Sequence, residues 1–126
     1  MSERVLRVLV VDDDEQQLEL VQRSLARHRF DVRTSASPIG VSNLVRDFSP
    51  DLLLIDVNQP ALSGDRLLTL VRRNTRSRAR LVLYSASDVD RLRQLAEDVS
   101  ADAWIQKGLA AKELATRLRA ICEEGS

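Results

Sequence analysis

Apolar residues along this chain come in two rhythms. Five short runs are apolar almost without alternation: Leu6–Val11, the weaker Val32–Thr34, Leu52–Ile55, Leu81–Tyr84 and Ala103–Ile105. Runs of that length and character predict strands covered on both faces, as in a parallel sheet. Between them the spacing changes to that of helices. Leu18, Val21 and Leu25 share one face, Val41, Leu44, Val45 and Phe48 another, and Val89, Leu92, Ala96 and Val99 a third. Ala111, Leu114, Ala115, Leu118, Ile121 and Cys122 make a long last face, and residues 65–73 also read as helix, although LLTLV is apolar on more than one side.

Punctuation agrees with this alternation. Asp14 with Gln17 fits a capping box at the start of the first helix. Pro38 and Pro50 precede elements, and Pro60 lies in the loop after the third run. No repeat, linker or low-complexity tract interrupts residues 1–126, so one domain is predicted. The sum is an α/β (βα)5 chain, and right-handed crossovers make that a doubly wound, five-stranded parallel sheet. In such sheets function sits outside the carboxyl ends of the strands.

Composition narrows the picture. Hydrophobic residues make up 44% and charged residues 30% of 126 residues, a globular and not a disordered balance. Nineteen basic against 19 acidic side chains give zero net charge, which argues against a surface built to hold nucleic acid or an anionic membrane. One cysteine, Cys122, excludes an internal disulfide and fits a reducing compartment. No apolar run approaches the roughly 18 residues of a membrane helix, and the start, MSERVLR, is no signal peptide; the expectation is a cytoplasmic protein.

The candidate chemistry lies just past the strands. Asp12 and Asp13 follow the first, Asp56 the third, Ser85 the fourth and Lys107 the fifth. Carboxylates crowded against an apolar core repel one another and are costly to desolvate, so something must offset them. A site of oxygen donors suits Mg²⁺, whose charge together with that of Lys107 nearly balances three carboxylates. A carboxylate so neutralised can still attack a phosphoryl group, while the ammonium and a hydroxyl stabilise its equatorial oxygens.

The stretches VLVVDDD, DLLLIDVNQPALSG, LVLYSAS and ADAWIQKG resemble the receiver domains of two-component response regulators, over nearly the whole chain. The resemblance implies a flavodoxin-like sheet of order 2-1-3-4-5 and a signalling domain that is a phosphoacceptor and not an enzyme acting on other substrates. Asp56 is then the phosphoacceptor for a sensor histidine kinase. Asp13, Asp56 and the backbone carbonyl of Asn58 bind Mg²⁺ directly, and Asp12 assists through water. Ser85 and Lys107 hold the phosphoryl oxygens, and Ser85 with Trp104 forms the switch. Output comes from a downstream effector or from an output domain outside these residues. A homodimer through the last two helices and fifth strand would use Asp98, Asp102, Lys112, Arg117 and Arg119.

Two positions depart from the family. Gly108 stands where a proline usually follows the lysine, which predicts a more loosely held Lys107. Trp104 replaces a tyrosine or phenylalanine. These departures motivate an alternative, a degenerate receiver that works as a phosphorylation-independent interaction module. A flavodoxin-like cofactor binder is disfavoured by Asp12–Asp14, and an Asp-x-Asp phosphohydrolase by Asn58. His28 between two arginines reads as a helix end, Cys122 as packing, and the arginine-rich 72–80 segment as a solvated helix end and loop.

Overall fold

The computed structural model describes residues 4–60, 62, 64–74 and 77–123. Five strands and five helices alternate: β1 (Leu6–Val11), α1 (Glu15–Ala26), β2 (Phe30–Ser35), α2 (Val41–Phe48), β3 (Leu52–Ile55), α3 (Gly64–Asn74), β4 (Arg80–Ser85), α4 (Val89–Val99), β5 (Ala103–Gln106) and α5 (Ala111–Glu123). The strands form one parallel sheet in the order β2-β1-β3-β4-β5.

Side chains leave successive strand residues on opposite faces, so each central strand feeds two cores. Leu6, Val8, Val10, Leu52, Leu54 and Val82 pack with α1 and α5. Leu9, Val11, Leu53, Ile55, Leu81 and Leu83 pack with α2, α3 and α4. This double covering is why β1, β3 and β4 are nearly uniform apolar runs. β2 is longer than its apolar run because it is an edge strand: Phe30 and Val32 are buried while Asp31, Arg33 and Thr34 are exposed. β4 and β5 also extend into polar residues, where Ser85 pairs with Gln106.

The start of α1 differs from the expected capping box. Asp14 accepts hydrogen bonds from the backbone N–H groups of Gln16 (3.0 Å) and Gln17 (3.3 Å). The reciprocal bond is replaced: the N–H of Asp14 donates to Oδ1 of Asp12 at 2.9 Å, not to the Gln17 side chain. The nearer carboxylate takes the donor, which couples the helix start to the strand end. Among the described residues no helix is long and apolar enough to cross a membrane.

Candidate phosphoacceptor site

The hydrogen-bond ladder continues one residue beyond the strands and thereby positions the charged residues. The N–H of Asp12 donates to the carbonyl of Ser35 (3.1 Å), that of Asp56 to Val11 (2.9 Å) and that of Lys107 to Ser85 (2.8 Å). Each backbone is tied to the last residue of a neighbouring strand, so the side chains emerge together at the carboxyl edge of the sheet.

There Lys107 bridges two carboxylates. Its Nζ lies 2.8 Å from Oδ2 of Asp12 and 2.9 Å from Oδ2 of Asp56. The carboxylate side chains are only 4% and 9% exposed and that of Lys107 is 16% exposed, so solvent screens this triad weakly. Burial by itself lowers the pKa of Lys107, but hydrogen bonds and charges from Asp12 and Asp56 outweigh it and hold the ammonium above its usual range. Asp12 also accepts the Asp14 N–H at the positive end of α1. A lysine and a helix start therefore offset the cost of carboxylates beside an apolar core. The Tyr84 ring lies 5.5 Å from Nζ of Lys107. Burial pushes the Tyr84 hydroxyl upward against the pull of the nearby ammonium, and Asp12 and Asp56 add to the rise.

Asp56 has all four of its polar atoms engaged. Oδ1 accepts the N–H of Asn58 at 2.8 Å, Oδ2 accepts Lys107, the N–H reaches Val11, and the carbonyl accepts Nε2 of Gln59 at 2.6 Å. On the next strand Ser85 is fully buried. Its Oγ donates to Oγ of Ser87 (3.2 Å), and Ser87 Oγ donates to Oδ1 of Asn58 (3.0 Å). This relay links the β4–α4 loop to the loop carrying Asp56.

Asp13 lies outside the triad. It is exposed and has no hydrogen bond or ion pair among the described residues. Nor do three His, Cys, Asp or Glu side chains form a metal-holding group among those residues. Asp12 and Asp56, however, both converge on one cation. With the carbonyl of Asn58 they would make an oxygen-only donor set, and Mg²⁺ needs only one or two protein carboxylates because it keeps several waters. The residues fit that ion chemically.

The two unusual positions have distinct local reasons. Gly108 has φ +117°, a backbone conformation that favours glycine. Lys107 is nonetheless held by two ion pairs and its own N–H, so the looser lysine expected from Gly108 is not what the structure has. Trp104 lies opposite Leu83 and packs, half-buried, against the core under α4.

His28 follows the α1 terminus, with its N–H on the Leu25 carbonyl, and Cys122 packs against the α1–α5 core. Of the arginine-rich segment, Arg72 and Arg73 close α3 and Arg80 opens β4, while residues 75 and 76 lie outside the described residues. Two of the charges suggested for a dimer also bond within the chain. Arg119 donates to the carbonyls of Arg4, His28 and Arg29 within the chain, and Asp102 accepts the Leu81 N–H at 2.7 Å. Sequence reasoning missed Ser87 and Gln59. Ser87 carries a faint signal, since a serine two residues after Ser85 suits a local side-chain turn. Gln59 carries none, because a polar residue before proline reads as exposed loop.

Comparisons with known proteins follow the same lines. Residues 8–119 match the family described as response regulator receiver domain. The response regulator MprA of Mycobacterium sp. (strain KMS) is 31% identical over 121 residues, 96% of this chain and 52% of that protein. The transcriptional regulatory protein PrrA of Mycobacterium bovis is 31% identical over 115 residues, 91% of this chain and 49% of that protein. The chain thus spans about half the length of these relatives. Among solved structures, the signal receiver domain of NarL from Mycobacterium tuberculosis superposes with a TM-score of 0.82 at 22% identity, over 97% of this chain and 99% of that one. The BeF3-activated N-terminal receiver domain of Klebsiella pneumoniae RstA gives 0.81 at 23% identity, over 94% and 99%. At these identities the likeness is one of fold.

Proposed function

This chain belongs to the response regulator receiver domain family, and from that membership we propose that it accepts a phosphoryl group on Asp56 from a phosphohistidine of a sensor kinase. The observation that carries the reading is the buried Asp12–Lys107–Asp56 triad, with both carboxylates within 3 Å of one ammonium. In the transfer, an oxygen of Asp56 forms a bond to phosphorus while the P–N bond to imidazole breaks. The electron pair of that bond leaves on the ring nitrogen, and Asp56 becomes an acyl phosphate. Lys107 moves its hydrogen bond from the carboxylate to a phosphoryl oxygen, and Ser85 supplies a hydroxyl to another. Asp13, Asp56 and the Asn58 carbonyl, with Asp12 through water, would hold Mg²⁺, which would supply charge neutralisation to the phosphoryl and carboxylate oxygens.

Ser85 and Trp104 then carry the switch toward the α4–β5–α5 face, where Asp98, Asp102, Lys112 and Arg117 are among the exposed charges. Output passes to an effector protein or to an output domain outside this chain, in the cytoplasm. Incubation with phosphoramidate or acetyl phosphate and Mg²⁺ tests the proposal: wild type gains one phosphoryl mass and Asp56→Asn gains none. An unlabelled wild type under conditions that label another receiver leaves the degenerate, phosphorylation-independent reading instead.

A further inference from the structure

Gln59 is 4% exposed, in a loop where its neighbours Asn58 and Pro60 are exposed. Its Nε2 donates to the carbonyl of Asp56 at 2.6 Å and lies 3.5 Å from the carbonyl of Val11. Both partners are acceptors, so the amide nitrogen must face them, and the orientation of the amide follows. Its Oε1 is then buried with no hydrogen-bond partner among the described residues. A buried acceptor without a donor is costly; an apolar side chain of similar size would remove that acceptor but leave the Asp56 carbonyl without the donor it now has. For stability alone, glutamine gains little over an apolar residue: each leaves one acceptor without a donor.

What glutamine adds is a hold on the phosphoacceptor. Val11 fixes the N–H of Asp56, Asn58 and Lys107 fix its carboxylate, and Gln59 fixes its carbonyl. Without the amide, the peptide after Asp56 loses its tie and can rotate, carrying with it the Asn58 N–H that orients Oδ1. We infer that Gln59 is a positioning residue, an amide clasp that holds the Asp56 peptide so that the carboxylate faces Lys107 and the incoming phosphoryl group. The inference rests on the reading of Asp56 as phosphoacceptor, but the clasp itself exists in the unphosphorylated chain.

The clasp separates stability from reactivity. In Gln59→Met both the donor and the stranded acceptor disappear at similar volume. The melting temperature changes little, because losing the stranded Oε1 offsets leaving the Asp56 carbonyl without its donor, while the labelling rate of Asp56 at saturating phosphoramidate and Mg²⁺ falls by about three- to tenfold, the equivalent of one neutral hydrogen bond. Half-saturation by phosphoramidate is unchanged, because the clasp does not touch the donor. An equal rate in Gln59→Met overturns the inference, and so does a rate loss matched by a loss of melting temperature, which is a structural role only. A separate measurement needs no phosphorylation: the Gln59 side-chain amide protons exchange slowly with D₂O in wild type. Fast exchange overturns the clasp even where labelling proceeds. Slow exchange with an unlabelled Asp56 leaves the clasp standing and removes the phosphoacceptor reading instead.

Discussion

Lys107 Nζ sits 2.9 Å from Oδ2 of Asp56, across 51 residues of sequence, and shares its ammonium with Asp12. Replacing it strands two nearly buried carboxylates side by side. Lys107→Met is expected to destabilise the metal-free protein by about 3–5 kcal/mol, as when one partner of a buried pair is removed. Urea unfolding at neutral pH measures this; an unchanged midpoint rules out a structural role for the triad.

Asp13 faces water, so its charge is screened and contributes little to the strain of the site. Asp13→Asn is expected to change the stability of the metal-free protein by no more than about 0.5 kcal/mol, as for ordinary surface substitutions. Mg²⁺ should raise the wild-type melting temperature by binding the folded state, and raise that of Asp13→Asn less. A large gain in metal-free stability for Asp13→Asn would mean that Asp13 lies within the repulsive field of Asp12 and Asp56.

Restoring the family's usual proline should not tighten the site. Gly108 has φ +117°, whereas proline holds φ near about −65°. A Cβ at this position meets nothing within 4 Å, so Gly108→Ala suffers only from backbone strain, roughly 1 kcal/mol or more. Gly108→Pro must rebuild the turn and is expected to be the less stable of the two. Thermal unfolding of both variants decides it, and the reverse order overturns the argument.

Three groups make the fold sensitive to alkali. Burial raises the Cys122 thiol above 9.0 and the Tyr84 hydroxyl above 10.0, while the hydrogen bonds and charges of Asp12 and Asp56 lift Lys107 above 10.5 against its burial. Each folded-state pKa lies above its unfolded value. The stabilisation is therefore complete below the unfolded pKa and is lost as pH rises through the folded one. Stability should fall from about pH 9 upward, and Tyr84→Phe should remove the part that sets in near 10. Tyr84 is the only tyrosine, so tyrosinate absorbance reads it alone; a folded-state midpoint at or below 10.0 contradicts the burial argument.

Trp104 is also unique and starts half-buried, so its emission tests the proposed switch. Beryllofluoride with Mg²⁺ is expected to move the indole further from water, giving a blue shift and weaker iodide quenching. Because the core is close-packed, the larger ring must find room, and overpacking costs about 1–3 kcal/mol where it does not. Unchanged emission with binding demonstrated independently assigns the coupling to the Ser85 loop alone.

Much of this protein was legible one element at a time. The uniform runs of β1, β3 and β4 and the faces of α1, α2, α4 and α5 follow from local periodicity, because burial on a repeating geometry imposes a repeating pattern. The positions of Asp12, Asp56, Ser85 and Lys107 follow too, since a residue just past a parallel strand emerges at one known edge. The order of the strands and the family roles came from resemblance, not from periodicity. What needed the tertiary structure were choices between chemically equal candidates. Asp12 and Asp13 read alike in the chain, yet one is buried on Lys107 and the other is in water. Asp14 had Gln17 in reach as a capping partner, but Asp12 took its N–H. Gln59 looked like surface loop and is buried against Asp56. Each outcome depends on contacts between side chains and backbone that a strand end or a loop does not fix alone: sequence sets which groups arrive at the edge of the sheet, and only the packed loops set which atoms meet there.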